Sequence, residues 1–218
     1  MTLPGRLRFR QDQSGLAIIE FALILPILIL LSVVAFDFSR YILYLRKVAL
    51  ASSTMAELIA RNDTGKISQA DILAFSRAQL VIFPEAMQSA RGQGKSVWDI
   101  TKWSLSGVQF KTTANCTSNC TYTPYVAWSS GKGRPCAVPL LAAADTDPPA
   151  PTTLPTDTFG PNFLIVADVV FTYTPVVAQS IIGTVNIAKS FYVPPRYVSA
   201  IAFDTSAGST SAWACTVP

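Results

Sequence analysis

The residue types that most often do chemistry are sparse in this 218-residue chain, and histidine is missing altogether. Without an imidazole there is no Ser-His-Asp or Cys-His nucleophile system, no near-neutral proton shuttle and no imidazole metal ligand. Carboxylates, lysines and cysteines remain. No phosphate-binding glycine loop, dinucleotide fingerprint or metal-ligand cluster occurs, and Asp145, Asp147 and Asp157 lack the glycine and final glutamate of a calcium loop. The sequence points to no reaction, and the expectation is a non-enzyme without catalytic residue, cofactor or metal.

The thiols are the next candidates. Cys116, Cys120, Cys136 and Cys215 all follow the apolar segment described below, and an even count in an exported domain points to two disulfides, with three connectivities open. Their spacings of 4, 16 and 79 residues do not form a zinc finger or ribbon. A bridge from Cys215 would tie down the tail GSTSAWACTVP.

One acid stands apart. Residues 16–36, LAIIEFALILPILILLSVVAF, hold a single charged residue, Glu20, with one proline, Pro26, and one serine, Ser32. As a helix the segment spans roughly 32 Å, close to the ~30 Å hydrocarbon thickness of a bilayer. An ionised carboxylate near the centre of such a span costs on the order of 2.5–3.5 kcal/mol, and less near the interface. The plain reading of Glu20 is an interfacial charge that reaches the headgroups.

A basic leader, MTLPGRLRFRQDQSG, precedes the run and ends in Gly15, with Glu20 five residues on. The string GLAIIEFALILPILILL, residues 15–31, resembles the N-terminus of a type IV pilin-like precursor. Its Glu-Phe pair, then Ala-Leu, then Pro, is similar to TadE-like pseudopilins of the Tad (Flp) pilus assembly system. The resemblance implies cleavage between Gly15 and Leu16 by a prepilin peptidase, and a role for Glu20 in subunit registration. Phe21 stands where Flp-type motifs typically carry tyrosine. Cleavage would free an α-amine on Leu16 with an ordinary pKa of about 7.7–8.0, within reach of a carboxylate one helical turn away or on a neighbour. In a desolvated site, removing one partner of such a pair costs roughly 3–5 kcal/mol. Later segments resemble the family more loosely: Val126-Ala127-Trp128-Ser129, Tyr173-Thr174-Pro175 and Pro194-Pro195-Arg196-Tyr197. For Trp128 and the Pro-Arg pair, sheet packing and a strand-ending turn are the plainer expectation.

Two other fates compete. Val33-Val34-Ala35 before Phe36 resembles a signal-peptidase site, although the run exceeds the usual h-region of about 7–15 residues and contains Glu20. An uncleaved anchor is the third. Arg6, Arg8 and Arg10 on one side balance Arg40, Arg46 and Lys47 on the other. The small leader and the cysteines favour a cytoplasmic N-terminus and a periplasmic C-terminal part.

Residues 37–61 contain no Gly or Pro, and Tyr41, Leu45, Val48, Ser52, Met55 and Ile59 recur at helical steps, extending the apolar helix to about 45 residues. Pro26 is expected to kink or loosen it. Gly65 stops it, Ser68 caps a second helix over about 69–81 with Ile72, Phe75 and Leu80 or their neighbours inward, and 91–95 is a turn. From 96 on the pattern turns to β, with strands over 96–110, 121–130 and 163–174, and one or two over 180–197 beside a short turn or helix. The six-proline stretch 139–161 reads as an exposed insertion. The fold class is α+β: a long N-terminal transmembrane and amphipathic helix packed on an antiparallel sheet, as in pilins. The domains are a leader 1–15, a span 16–36, a helical extension 37–61 and an extracytoplasmic domain 62–218.

Only 14% of residues are charged, and residues 62–218 carry ten Lys/Arg against nine Asp/Glu, so no basic face suits nucleic acid. The sequons at Asn62, Asn115 and Asn119 matter only in a eukaryotic secretory pathway. The expected partners are the bacterial inner membrane, other pilins or pseudopilins of the same system and the prepilin peptidase. The expected function is a minor pseudopilin, held in the membrane or incorporated in an extracellular pilus. The alternative is an adhesion or binding module on an uncleaved anchor.

Overall fold

The computed structural model describes residues 14–112, 116, 120–130, 133–206 and 211–217. The leader arginines Arg6, Arg8 and Arg10 and the sequon residues Asn115 and Asn119 lie outside the described residues.

Helix α1, Ser14–Ala60, is 47 residues long and contains Pro26. At ~1.5 Å per residue it extends roughly 70 Å. Proline removes one donor, the one that would reach the Ala22 carbonyl, and the helix continues through it. Beyond α1 come β1 (Lys66–Ile67), α2 (Gln69–Ile82), α3 (Pro84–Gly92) and α4 (Val97–Ile100). Then follow β2 (Thr101–Thr112), β3 (Tyr122–Ser129), β4 (Leu141–Ala143), β5 (Thr153–Pro155), β6 (Leu164–Tyr173), α5 (Gln179–Ile182), β7 (Val185–Val193) and β8 (Ala202–Phe203).

The main sheet has the order β3-β2-β6-β7 with every neighbour antiparallel. Alternation along β6 decides what each face meets. Ile165, Ala167, Val169, Phe171 and Tyr173 join Tyr44, Val48, Met55 and Ile59 of α1 in one core. Leu164 and Val166 point the other way and join Val108, Val126, Leu140 and Leu154 in a second. The main core is thus closed by the second half of α1, and residues 62–218 share it with that helix. This is the α+β arrangement expected from the sequence.

Several local expectations are corrected. Helix α2 begins at its capping box, Ser68 with Asp71, as expected. Its buried face is Ile72 with Ser76 and Gln79, the neighbours of Phe75 and Leu80, which are themselves half-buried. The start of the expected 96–110 strand is instead helical: Ser96 and Asp99 form a second capping box over α4. The helix before the expected 91–95 turn runs on to Gly92, and the turn proper contains Gly94 at φ 64°.

The proline-rich stretch is also more than an exposed insertion. β4 and β5 pair in parallel within it, and its Leu140 and Leu154 are buried against the second sheet face. Arg134 holds it there. The guanidinium meets Asp168 on β6 through two bonds of 2.9 Å and donates to the Thr153 carbonyl at 2.8 Å. Ser190 on β7 also donates to Asp168.

Trp128 is wholly buried, its indole N–H donating to the Ile201 carbonyl at 2.8 Å. It lies across from Gly107, where a Cβ would collide with the indole and with Phe163. Gly107→Ala is therefore expected to destabilise the disulfide-intact protein by about 1–3 kcal/mol through overpacking. Gly160→Ala, in open space, should stay within about 0.5 kcal/mol. Thermal or denaturant unfolding of the two variants side by side checks the difference.

Candidate functional site

The largest unsatisfied feature is the first half of α1. Thirteen large apolar side chains between Ile18 and Phe36 are exposed, Leu23 to 71%. Covering each recovers about 1.5–3 kcal/mol, so the bare surface represents roughly 20–40 kcal/mol in water. A patch of this extent marks contact with lipid or with other protein. By length and composition α1 can cross a membrane. The hydroxyl of Ser32 donates to the Leu28 carbonyl at 2.8 Å, so this polar group is satisfied within the helix.

Gly15, Glu20 and Phe21 are all exposed on this rod. Gly15 and Leu16 fall in the first turn, whose backbone N–H groups have no partners within the helix. Among the described residues nothing lies within 4 Å of the place where a Cβ on Gly15 would stand, so their packing does not require glycine there. Glu20 is the charged residue of the span, one turn beyond Leu16. Above the span, Leu43 and Leu50 are exposed at seven-residue steps from Phe36, continuing an apolar stripe along the helix.

A residue that the sequence did not single out fixes where the bare half ends. Asp37, 6% exposed, directly follows the apolar run. Its carboxylate accepts the backbone N–H groups of Val176 (3.0 Å), Val177 (3.1 Å) and Ala178 (2.9 Å), in the loop between β6 and α5. Tyr173 donates its hydroxyl to the Asp37 carbonyl at 3.1 Å. Around it, Tyr41, Tyr44, Phe83 and Phe171 form a ring cluster, and Arg40 donates to the Tyr44 hydroxyl at 2.8 Å. Burial pushes the Asp37 carboxyl up, but the three N–H bonds and the nearby Arg40 outweigh it and hold it below its ordinary 3.8. The signal in the sequence was a lone acid at the end of the apolar run. Its partners lie 139–141 residues away, a distance that no local pattern spans.

The structure joins Cys116 to Cys120 and Cys136 to Cys215, with Cα separations of 5.6 and 5.2 Å. The second bridge closes 79 residues, about 4.5 kcal/mol in the chain-entropy account. It fastens the C-terminal tail beside β3, where Cys215 donates its N–H to the Ala127 carbonyl at 2.9 Å. These cysteines are remote in function from Glu20: they brace the sheet, not the rod. A cleft of about 280 Å³ lies between the proline-rich stretch and the sheet, lined by Trp103, Lys102, Pro149, Pro151 and Lys189. Among the described residues no three His, Cys, Asp or Glu side chains gather where they could hold a metal ion.

The later family-like segments have packing roles. Trp128 fills the core, Tyr173 meets α1, and Arg196 pairs with Glu57 at 2.5 Å while its N–H reaches the Ala60 carbonyl at 2.9 Å.

An α+β head closes over one half of a helix whose other half is bare, apolar and long enough to serve as a membrane anchor. Residues 15–56 match the model of a family described as TadE-like protein, so this segment of the chain is TadE-like. The match covers the bare half of α1, Asp37 and most of the sheet-packed half. No curated protein and no solved structure matches the chain. A TadE-like segment implies involvement in Tad pilus assembly.

Asp37→Asn keeps the shape but removes the charge from three hydrogen bonds, and is expected to weaken loop docking by about 1.5–3 kcal/mol. Hydrogen exchange at Val176–Ala178 reads this directly. Because the folded pKa is depressed, the natural chain should keep full protection above the ordinary carboxylate pKa and lose it as pH falls through the lowered value. The Asn variant should show no such acid step.

Proposed function

We propose that the chain is a minor pseudopilin or structural subunit of Tad (Flp) pilus assembly, inserted with its N-terminus in the cytoplasm and its head in the periplasm. A prepilin peptidase removes the leader after Gly15, and the mature chain assembles by packing α1 against the helices of other pilins or pseudopilins. The observation that carries this reading is the bare, TadE-like half of α1, with Glu20 as the charge of the span. Gly15 supports it, since no described residue packs within 4 Å of where a side chain there would begin. The new amine of Leu16 and the Glu20 carboxylate, on one chain or on neighbours, set the register. The exposed Phe36–Leu43–Leu50 stripe extends the packing surface beyond the bilayer. This role is not an enzymatic one, and the head has no part in chemistry.

A second reading, a binding module on an uncleaved anchor, is favoured by the cleft beside the proline-rich stretch. The two differ in the mature N-terminus. In cells with the peptidase, sequencing the membrane-extracted protein should give Leu16, and without it the unprocessed N-terminus. A chain beginning at Phe36 or left unprocessed in piliated cells overturns the proposal. Gly15→Val should stay unprocessed yet fold, with both disulfides intact by mass with and without reductant. Glu20→Ala should be processed and inserted normally but lose most surface pili, a count by electron microscopy being the measurement.

A further inference from the structure

The loop that Asp37 holds is unlike the rest of the head. Residues 174–183, TPVVAQSIIG, carry no charge, and none occurs between Asp168 and Lys189. Four large apolar side chains stand out from it: Val176, Val177, Ile181 and Ile182, with Ile181 87% exposed. The short helix α5 presents the last two. Elsewhere among the described residues of the head exposed large apolar residues are scattered; here they come as two adjacent pairs within seven residues.

Their position gives them a use. Asp37 is the first residue past the apolar run, and it binds the backbone of 176–178. The loop is therefore fixed at the level where the span meets the head. Val177 goes further, lining a groove with Leu25, Leu28, Ile29, Val33 and Phe36 of the span itself. The loop thus lies alongside the span, on its head-side end, and its apolar surface is continuous with the apolar surface of α1.

We propose that the 174–183 loop is a second, non-spanning membrane element, which seats Val176, Val177, Ile181 and Ile182 in the head-side leaflet beside α1. This rests on the reading of residues 16–36 as a membrane span. The occupant is lipid, because the loop shares its level and its surface with a segment whose bare side chains need hydrocarbon around them. The loop's backbone is compatible with that place. Three of its N–H groups are satisfied by Asp37, and those of Ile181, Ile182 and Gly183 by the carbonyls of Ala178 and Gln179. Two attachments, a span and a lipid-seated loop, fix the tilt of the head over the bilayer where one would leave it free to swing.

The test uses the full chain with its native disulfides, carrying one added cysteine labelled with an environment-sensitive fluorophore. The sites are Ile181→Cys, Leu28→Cys in the span, and Val81→Cys on the head, itself 84% exposed. The proteins are reconstituted in vesicles of phosphatidylethanolamine and phosphatidylglycerol, with or without spin-labelled phosphatidylcholine. Spin-labelled lipid should quench the labels at 181 and 28 and leave the label at 81 bright. Quenching at 28 but not at 181 overturns the inference and leaves the span reading standing. Quenching at neither overturns both. A label at 181 that responds to protein density but not to spin-labelled lipid is covered by a second copy, and also overturns it. Ile181→Asp with Ile182→Asp gives a second readout: the head should keep its disulfides and melting behaviour, while hydrogen exchange across 179–183 in vesicles rises above that of the natural chain, and unchanged exchange counts against the inference.

Discussion

Helix α1 is one continuous rod that meets two different surroundings, and the contact at Asp37 is where they are divided. Above it, Tyr44, Val48, Met55 and Ile59 are in the main core with β6. Below it, the side chains from Ile18 to Phe36 touch little of the chain. A helix cannot end one face and begin another without something marking the level, because 3.6-residue periodicity alone would let the head slide or rotate along the rod. A carboxylate that accepts three consecutive backbone N–H groups is directional and charge-assisted, so it fixes the head in translation as well as rotation. The aromatic cluster of Tyr41, Tyr44, Phe83, Phe171 and Tyr173 adds area to the same junction.

The head solves a different problem. A four-stranded sheet with a helix on one face has a second face to cover, and β6 is apolar on both sides. Covering it falls to the proline-rich stretch, which brings Leu140 and Leu154 onto that face. Six of the 23 residues of 139–161 are prolines and lack a backbone donor. Side chains and a covalent bond do the holding: the Arg134–Asp168 pair on one side, the Cys136–Cys215 bridge on the other. Arg134 and Cys136 lie two residues apart, so both restraints act on one short segment at the root of the cover.

How legible this was in the sequence depends on range. The long first helix, the capping box at Ser68 and Asp71, and strand β6 were readable to within a residue or two, because periodicity and caps are local signals. The second capping box, Ser96 with Asp99, was equally local but masked by the β-favouring Val97, Trp98 and Ile100 around it. The near-continuous apolar run of β6 already said that both faces were covered, but not by what. For α2, which neighbour turns inward, Ser76 beside Phe75 and Gln79 beside Leu80, depends on what the helix packs against, which no single helix reveals. Of the site, Gly15, Glu20 and Phe21 stood out by type and spacing; Asp37 did not, since its meaning comes from a loop far along the chain.

On the proposed function, the two parts of the packing surface of α1 work through different forces. Inside the bilayer, lipid tails are as apolar as leucine, so the exposed Leu and Ile side chains gain little by exchanging lipid for a neighbouring helix. Their contribution is shape. The element with direction there is Glu20, whose carboxylate is costly to keep in hydrocarbon without a cation and so favours arrangements that supply one. Above the bilayer the balance reverses: Leu43 and Leu50 face water, and covering them releases the usual hydrophobic free energy. A subunit built this way is held in lipid without preference until a neighbour offers a cation at the level of Glu20 and an apolar stripe above Asp37 together. Register then follows from the fixed separation of the two along one rigid helix, about 45 Å from residue 20 to residue 50 at 1.5 Å per residue.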